Sequence, residues 1–290
     1  MFKGSFVAIV TPFREGRLDE RALQNLVEYQ ISNGTSGIVP CGTTGESPTL
    51  SHEEYERVIQ ITVETVHRRV PVLAGTGFNA TDKTIEATRF AKRAGADGAL
   101  IVTPYYNRPT PEGIYQHFAA VAKAVDLPIV VYNIPGRTAT NILPDTMARL
   151  ATLDTVVGVK ESTGSFQQMQ EMIKVCGDRL SVLSGDDWAT LPLLAIGGRG
   201  VISVTANILP REVATVIAEW EKGNIAAARE LHYKLWPLHS ALFIETSPTP
   251  VKTALGMLGK ISPEVRLPLA PMLPQNRAKL EQALKDFGLL

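Results

Sequence analysis

Val156-Val157-Gly158-Val159-Lys160-Glu161 runs four apolar residues into a charged pair. Such a run reads as a strand buried on both faces, the pattern of a parallel sheet covered by helices. The lysine stands where that strand should emerge from its core. A free lysine has a pKa near about 10.4, so about one in a thousand or fewer is neutral at pH 7. An ammonium set against an apolar wall loses hydration, and its pKa falls. The neutral amine can then attack a ketone and form a Schiff base. The plainer reading is a lysine snorkelling from a strand end into solvent. The rest of the chain has to separate the two.

Working outward, similar short apolar runs recur on both sides. Ser5–Val10 is the first, stopped by Thr11-Pro12. Gly37-Ile38-Val39-Pro40, Pro71-Val72-Leu73-Ala74 and Ala99-Leu100-Ile101-Val102 follow. Pro128-Ile129-Val130-Val131-Tyr132 precedes the lysine strand. Leu180-Ser181-Val182-Leu183 and Gly200-Val201-Ile202-Ser203-Val204 come after it. Helical patterns separate them. One runs from about Asp19 to Asn33, with Leu23, Leu26, Val27 and Ile31 on one face and Gly34 as its stop. Ser51-His52-Glu53-Glu54 is a capping box that opens another, reaching about His67. Thr110-Pro111-Glu112 starts a third, with proline where its missing N–H does no harm. Residues 80–94, 144–152 and 165–176, and a short piece from about Asp187, complete the set.

Eight strand–helix units in about 220 residues predict an α/β fold, a (β/α)₈ TIM barrel. An open doubly wound sheet is the competitor, and the count of eight with fairly even spacing favours the barrel. Residues 1–220 are read as the catalytic barrel. Residues 221–290, broken at Gly223, Ser247-Pro248, Ser262-Pro263 and Pro274, are read as a helical extension packed on it.

Composition narrows the function classes. Lysine plus arginine total 29, as do aspartate plus glutamate, in 290 residues. A formal net charge of zero gives no electrostatic reason to expect nucleic acid or an anionic membrane as partner. No apolar stretch approaches the length of a bilayer span, and Met1–Val7 is too short in its apolar run for a signal peptide. A cytoplasmic protein is expected. Two cysteines, Cys41 and Cys176, cannot build a disulfide framework or a four-cysteine metal site, and reduced thiols are expected.

In such barrels chemistry sits at the C-terminal ends of the strands. Those ends carry Thr11-Pro12, Gly42-Thr43-Thr44-Gly45-Glu46, Gly75-Thr76-Gly77, Thr103-Pro104-Tyr105-Tyr106-Asn107, Tyr132-Asn133-Ile134-Pro135-Gly136-Arg137, Lys160-Glu161 and Ser184-Gly185-Asp186-Asp187. Hydroxyls, glycines, one lysine and one arginine converge on one face as a small polar pocket. Gly42-Thr43-Thr44-Gly45 offers freed backbone N–H groups and two hydroxyls to a small carboxylate, or is an ordinary tight turn. Tyr132 ends the strand beside that of Lys160 and could shuttle protons there, or it is a core tyrosine. Arg137 could hold a second carboxylate by a two-pronged hydrogen bond. Gly75-Thr76-Gly77-Phe78-Asn79-Ala80 fits the dinucleotide fingerprint, but in the third unit of eight and not at the start of a Rossmann half. His52-Glu53 would need a histidine at 56 for a zinc helix, and Glu56 stands there.

Taken together these segments, with Ala8-Ile9-Val10-Thr11-Pro12 and Leu183-Ser184-Gly185-Asp186-Asp187, resemble the dihydrodipicolinate synthase family over essentially the whole length. That family belongs to the pyruvate-dependent Schiff-base aldolases and lyases. The resemblance implies condensation of pyruvate with L-aspartate-4-semialdehyde, early in lysine and diaminopimelate biosynthesis. Lys160 would form the imine, and Thr43 and Thr44 would receive the pyruvate carboxylate. Thr44, Tyr132 and Tyr106 would relay protons, with Tyr106 reaching in from a neighbouring subunit, so a dimer of dimers is implied. Arg137 would hold the semialdehyde carboxylate, and Gly185 and Ile202 would offer backbone groups near Lys160. No metal or organic cofactor is implied, because the lysine–pyruvate imine itself is the electron sink. The rival inside the superfamily is a sialic-acid lyase or sugar-acid aldolase. It shares the lysine and tyrosine, and Thr43-Thr44 with Arg137 argues against it.

The same resemblance places an effector cleft for lysine at Ser47, His52, Asn79 and Tyr105. Lysine-inhibited members commonly carry glutamate where this chain has Lys83, and often histidine where it has Tyr55. A cation at 83 repels the effector's ammonium, so weak or absent inhibition is expected.

Overall fold

The computed structural model describes residues 2–290. Eight parallel strands form one sheet: β1 (Gly4–Ala8), β2 (Gly37–Val39), β3 (Leu73–Gly75), β4 (Gly98–Val102), β5 (Ile129–Asn133), β6 (Val156–Glu161), β7 (Ser181–Ser184) and β8 (Gly200–Ser203). β8 pairs back onto β1, Gly4 opposite Gly200. β2 and β3 meet through the bridge Ile38–Val72, and the Gly75 N–H donates to the Pro40 carbonyl at 2.9 Å, which closes the ring. The fold is the expected (β/α)₈ barrel.

Each strand is followed by a helix: α1 (Glu20–Ser32), α2 (His52–Val66), α3 (Thr81–Ala94), α4 (Pro111–Ala124), α5 (Pro144–Leu150), α6 (Phe166–Cys176), α7 (Thr190–Ala195) and α8 (Pro210–Glu221). Local chemistry sets their ends. Both hydrogen bonds of the Ser51/Glu54 capping box are formed at the start of α2. The Thr110 hydroxyl accepts the Gly113 N–H at the start of α4. Gly95 ends α3 at φ +93, a backbone that side chains resist. Beyond the barrel lie α9 (Ile225–Ala241), α10 (Thr249–Met257) and α11 (Pro274–Phe287). α9 packs on α8 and α11, and α10 packs on α11. Among the described residues no helix is long and apolar enough to cross a membrane.

Strand alternation divides the apolar residues into two cores. Phe6, Ala8, Val39, Leu73, Leu100, Val130, Tyr132, Leu183 and Ile202 fill the barrel interior. Ile129, Val131, Val159, Val182 and Val201 point the other way, into the layer beneath the helices.

Three strands stop short of expectation, β2 by the single residue Pro40. β1 ends at Ala8, because the Val10 N–H goes to the Asn207 side chain at 3.1 Å instead of to a neighbouring strand. β8 ends at Ser203, because the Asp187 carboxylate takes the Val204 and Thr205 N–H groups at 3.0 and 3.1 Å. An antiparallel hairpin, Phe13–Arg14 with Arg17–Leu18, was not foreseen. Its strands are too short to show alternation, and its turn rests on positive φ at Glu15 and Gly16.

Candidate active site

β5 and β6 run side by side in a register that sets Tyr132 against Lys160 and Asn133 against Glu161. Both Tyr132 and Lys160 are 5% exposed, and the Lys160 Nζ lies 4.1 Å from the centroid of the Tyr132 ring. The aromatic face can steady a positive charge on this nitrogen without tying it up in a salt bridge. Gly185 follows β7 at the same level. A Cβ there would come within 2.9 Å of Lys160 Cε and collide with the Ser162 hydroxyl, so only glycine leaves the lysine its path. Ile202, on β8, is wholly buried in the barrel interior.

Of the nearby carboxyl groups, Glu161 and Asp187 are buried and Asp186 is half-buried. Burial pushes the Asp186 carboxyl up to about 6, against the pull of the Lys160 charge and with a further push from Asp187. Glu161 is fully buried, and burial raises its pKa against the hydrogen bonds it accepts from Thr163 and Asn133. Asp186 is thus a carboxyl near Lys160 that holds its proton more tightly than a free carboxyl does.

A cavity of about 240 Å³ meets this group at Tyr132, while Lys160, Thr44, Gly185 and Ile202 do not line it. Thr43, Tyr132, Ile134 and Arg137 line it, with Gly75, Gly77, Phe78 and Tyr105. Thr44, next to Thr43, is buried. Arg137 sits on a one-turn helix, Pro135–Thr138, and donates to the Ser247 carbonyl at 3.1 Å, which aims the rest of its guanidinium. The dinucleotide-like glycines have another purpose. A Cβ at Gly75 would strike the Cys41 carbonyl and one at Gly77 the Val102 N–H, so these residues let barrel segments touch. Cys41 is buried and donates to the Tyr55 carbonyl, and burial pushes its thiol far up. The Cys176 thiol is pushed up to about 11. Both cysteines are free.

Tyr106 does not join this group within one subunit. It is 90% exposed at φ +73, and it does not line the cavity. A second cavity, about 570 Å³, is lined by Ser47, His52, Tyr55, Lys83 and Tyr105. It shares Ser47, Pro48, Phe78 and Tyr105 with the first, so one wall separates them. Asn79 does not line it, and its carbonyl accepts the Asn107 side chain at 2.8 Å.

Sequence reasoning did not find the ion pair beneath Gly42–Glu46. The Glu46 carboxylate meets Lys252 of α10 at 2.6 Å, with both side chains shut off from solvent. The Arg266 N–H donates to its other oxygen at 3.0 Å.

Comparison with known proteins places these observations. The sequence pattern of the Dihydrodipicolinate synthetase family matches residues 1–287. The chain is 58% identical to 4-hydroxy-tetrahydrodipicolinate synthase of Syntrophus aciditrophicus, over all of both chains. It is 57% identical to the protein of that name from Thermodesulfovibrio yellowstonii, again over the full length of each. The crystal structure of dihydrodipicolinate synthase from Aquifex aeolicus superposes with a TM-score of 0.98 at 52% identity, covering 99% of each chain.

Proposed function

The chain belongs to the dihydrodipicolinate synthetase family, and on that premise we propose that it condenses pyruvate with L-aspartate-4-semialdehyde through a lysine imine. The product is 4-hydroxy-tetrahydrodipicolinate, and the enzyme is a lyase of lysine and diaminopimelate biosynthesis. The observation that carries the reading is the buried Lys160 amine against the ring of Tyr132, a residue that lines one cavity with Thr43 and Arg137. The relatives named above are synthases, so the sugar-acid lyase alternative gains nothing from them.

Lys160 attacks the ketone of pyruvate, and loss of water gives the imine. The protonated imine then draws electrons from the neighbouring methyl group, which becomes the nucleophile toward the aldehyde. This needs no external cofactor or metal. Thr43 and Thr44 receive the pyruvate carboxylate on the turn after β2. Tyr132 carries protons to and from the carbinolamine, with Thr44 as the next member of the relay. Tyr106, exposed on one subunit, completes that relay from a neighbouring copy in a dimer of dimers. Arg137 holds the semialdehyde carboxylate. Gly185 and Ile202 shape the ground around the imine. The absence of any long apolar helix among the described residues fits a cytoplasmic enzyme.

Turnover with pyruvate fixed and the aldehyde varied tests this directly. Pyruvate consumption is expected with aspartate semialdehyde, and not with N-acetylmannosamine or simple sugar aldehydes. Consumption only with a sugar aldehyde would move Arg137 out of its role and overturn the synthase reading.

The second cavity is the effector cleft, and the cation at Lys83 predicts poor regulation by lysine. Lys83 faces it, together with Arg93. Glu56 and Glu86 line it as well, so its formal charges balance, and the expectation rests on Lys83, the cation that stands where lysine-inhibited members carry glutamate. Half-inhibition by lysine is expected only above about 1 mM. An inhibition curve with its midpoint well below that would contradict the electrostatic argument.

A further inference from the structure

The turn that carries Thr43 and Thr44 is strained at both ends. Cys41 stands at φ +54 and Glu46 at φ +53, left-handed conformations that non-glycine residues adopt reluctantly. Between them the Gly45 N–H donates to the Gly42 carbonyl and the Glu46 N–H to the Thr43 carbonyl, each at 3.1 Å. Strain of this kind persists only where the surroundings over-determine it. Here the Thr11 hydroxyl holds the Gly45 carbonyl at 2.7 Å. The Glu46 carboxylate is held from below by the Lys252 ammonium at 2.6 Å and by the Arg266 N–H at 3.0 Å.

The Lys252–Glu46 pair is the most buried ion pair among the described residues, with both side chains at 0% exposure. The Lys252 Nζ and the Arg266 guanidinium lie over the Phe13 ring at 4.2 and 4.1 Å. The same guanidinium grips Glu54 with two nitrogens and reaches the Thr49 and Gly16 carbonyls. Burial lowers the Lys252 pKa, and the Glu46 carboxylate opposes that shift. A buried ion pair adds little stability over an apolar pair of the same shape. What it adds here is direction, and a charge that cancels that of Glu46.

We propose that Lys252 of the C-terminal extension is a positioning residue for pyruvate. It acts through Glu46 to hold Thr43 and Thr44 in place and to neutralise a carboxylate that would otherwise repel the carboxylate of the substrate. The inference rests on the function proposed above for that turn.

Two variants test it: Lys252→Met, and the neutral pair Glu46→Gln/Lys252→Met. The readouts are the KM for each substrate and the pyruvate concentration that half-saturates borohydride trapping of the imine, followed by intact mass. Lys252→Met is expected to raise both pyruvate constants at least about tenfold, while the KM for semialdehyde stays within about twofold. The neutral pair loses the repulsion but not the misplacement, and a rise of about threefold or more in the pyruvate constants is expected. The neutral pair also decides the matter if Lys252→Met does not fold. Unchanged pyruvate constants in a folded variant would overturn the proposal, and so would both substrates losing affinity alike. Wild-type enzyme that pyruvate does not label would overturn the proposed function and this inference with it. Labelled wild type without the split in the variants overturns this inference alone.

Discussion

Lys160→Ala is expected to leave no pyruvate adduct after borohydride reduction and to lower kcat at least about 10³-fold, or about 4 kcal/mol of transition-state stabilisation. Among the described residues no lysine lines the cavity to replace it. Lys252 is sealed in its pair with Glu46. Lys260 lies over the ring of Tyr29, outside the barrel mouth. Lys83 belongs to the second cavity, behind the wall of Ser47, Pro48, Phe78 and Tyr105. The fold should survive the change. Lys160 makes no salt bridge, and truncation removes a stem packed beside Gly185 and Tyr132, costing about 1–3 kcal/mol. For a chain of this size that lowers the melting midpoint by less than about 10 °C. Intact mass, turnover and far-UV circular dichroism together check the prediction. A pyruvate adduct on the alanine variant, with its fold intact, would refute the assignment of Lys160.

The barrel was legible because its signal is local and repeated. Each of the eight apolar runs is only three to six residues long in the structure, yet eight of them at even spacing leave few alternatives. Lys160 was legible for the same reason, as a charge at the end of such a run. Its partnership with Tyr132 was one step further away. It required the barrel, which makes β5 and β6 neighbours, and a register that the sequence does not print. The family resemblance supplied the roles that spacing alone left open at Thr43, Thr44 and Arg137.

Other features were beyond reach for physical reasons. Glu46 and Lys252 are 206 residues apart, and no periodicity joins them. Lys252 lies in a helix whose residues from Thr249 to Leu255 are all buried, so no polar face marks where the lysine points. The turn of helix under Arg137 is four residues long, too short for a helical period. Tyr106 and Tyr105 are adjacent and chemically alike. Only the positive φ at Tyr106 sends one ring outward while its neighbour lines both cavities. Asn79 shows the converse, a residue placed in the effector cleft by resemblance that does not line it.

Tyr132→Phe separates the lysine from the proton carrier proposed for it. The ring sits in the barrel interior among Leu100, Val130 and Leu183, and phenylalanine fills the same volume. The aromatic face beside the Lys160 Nζ is therefore retained, and only the hydroxyl is lost. Imine formation and its conversion to the enamine are a sequence of proton transfers at two neighbouring carbons. The amine must lose a proton, the carbinolamine oxygen must gain one to leave as water, and the methyl group must give one up. A positioned acid–base group contributes about 10²–10⁴-fold to such steps. The expected result is a fall in kcat of that size, with the pyruvate concentration for half-maximal trapping changed by less than about threefold, because the equilibrium of the imine does not depend on its catalyst. This pattern is the opposite of that expected at Lys252, where affinity for pyruvate moves and the chemistry of the bound imine does not. It also differs from Lys160→Ala, in which the adduct itself disappears. Steady-state kinetics combined with the time course of trapping distinguish the three. A Tyr132→Phe enzyme with kcat within about threefold of wild type would return Tyr132 to the role of a packed core residue and require another proton carrier at the floor of the cavity.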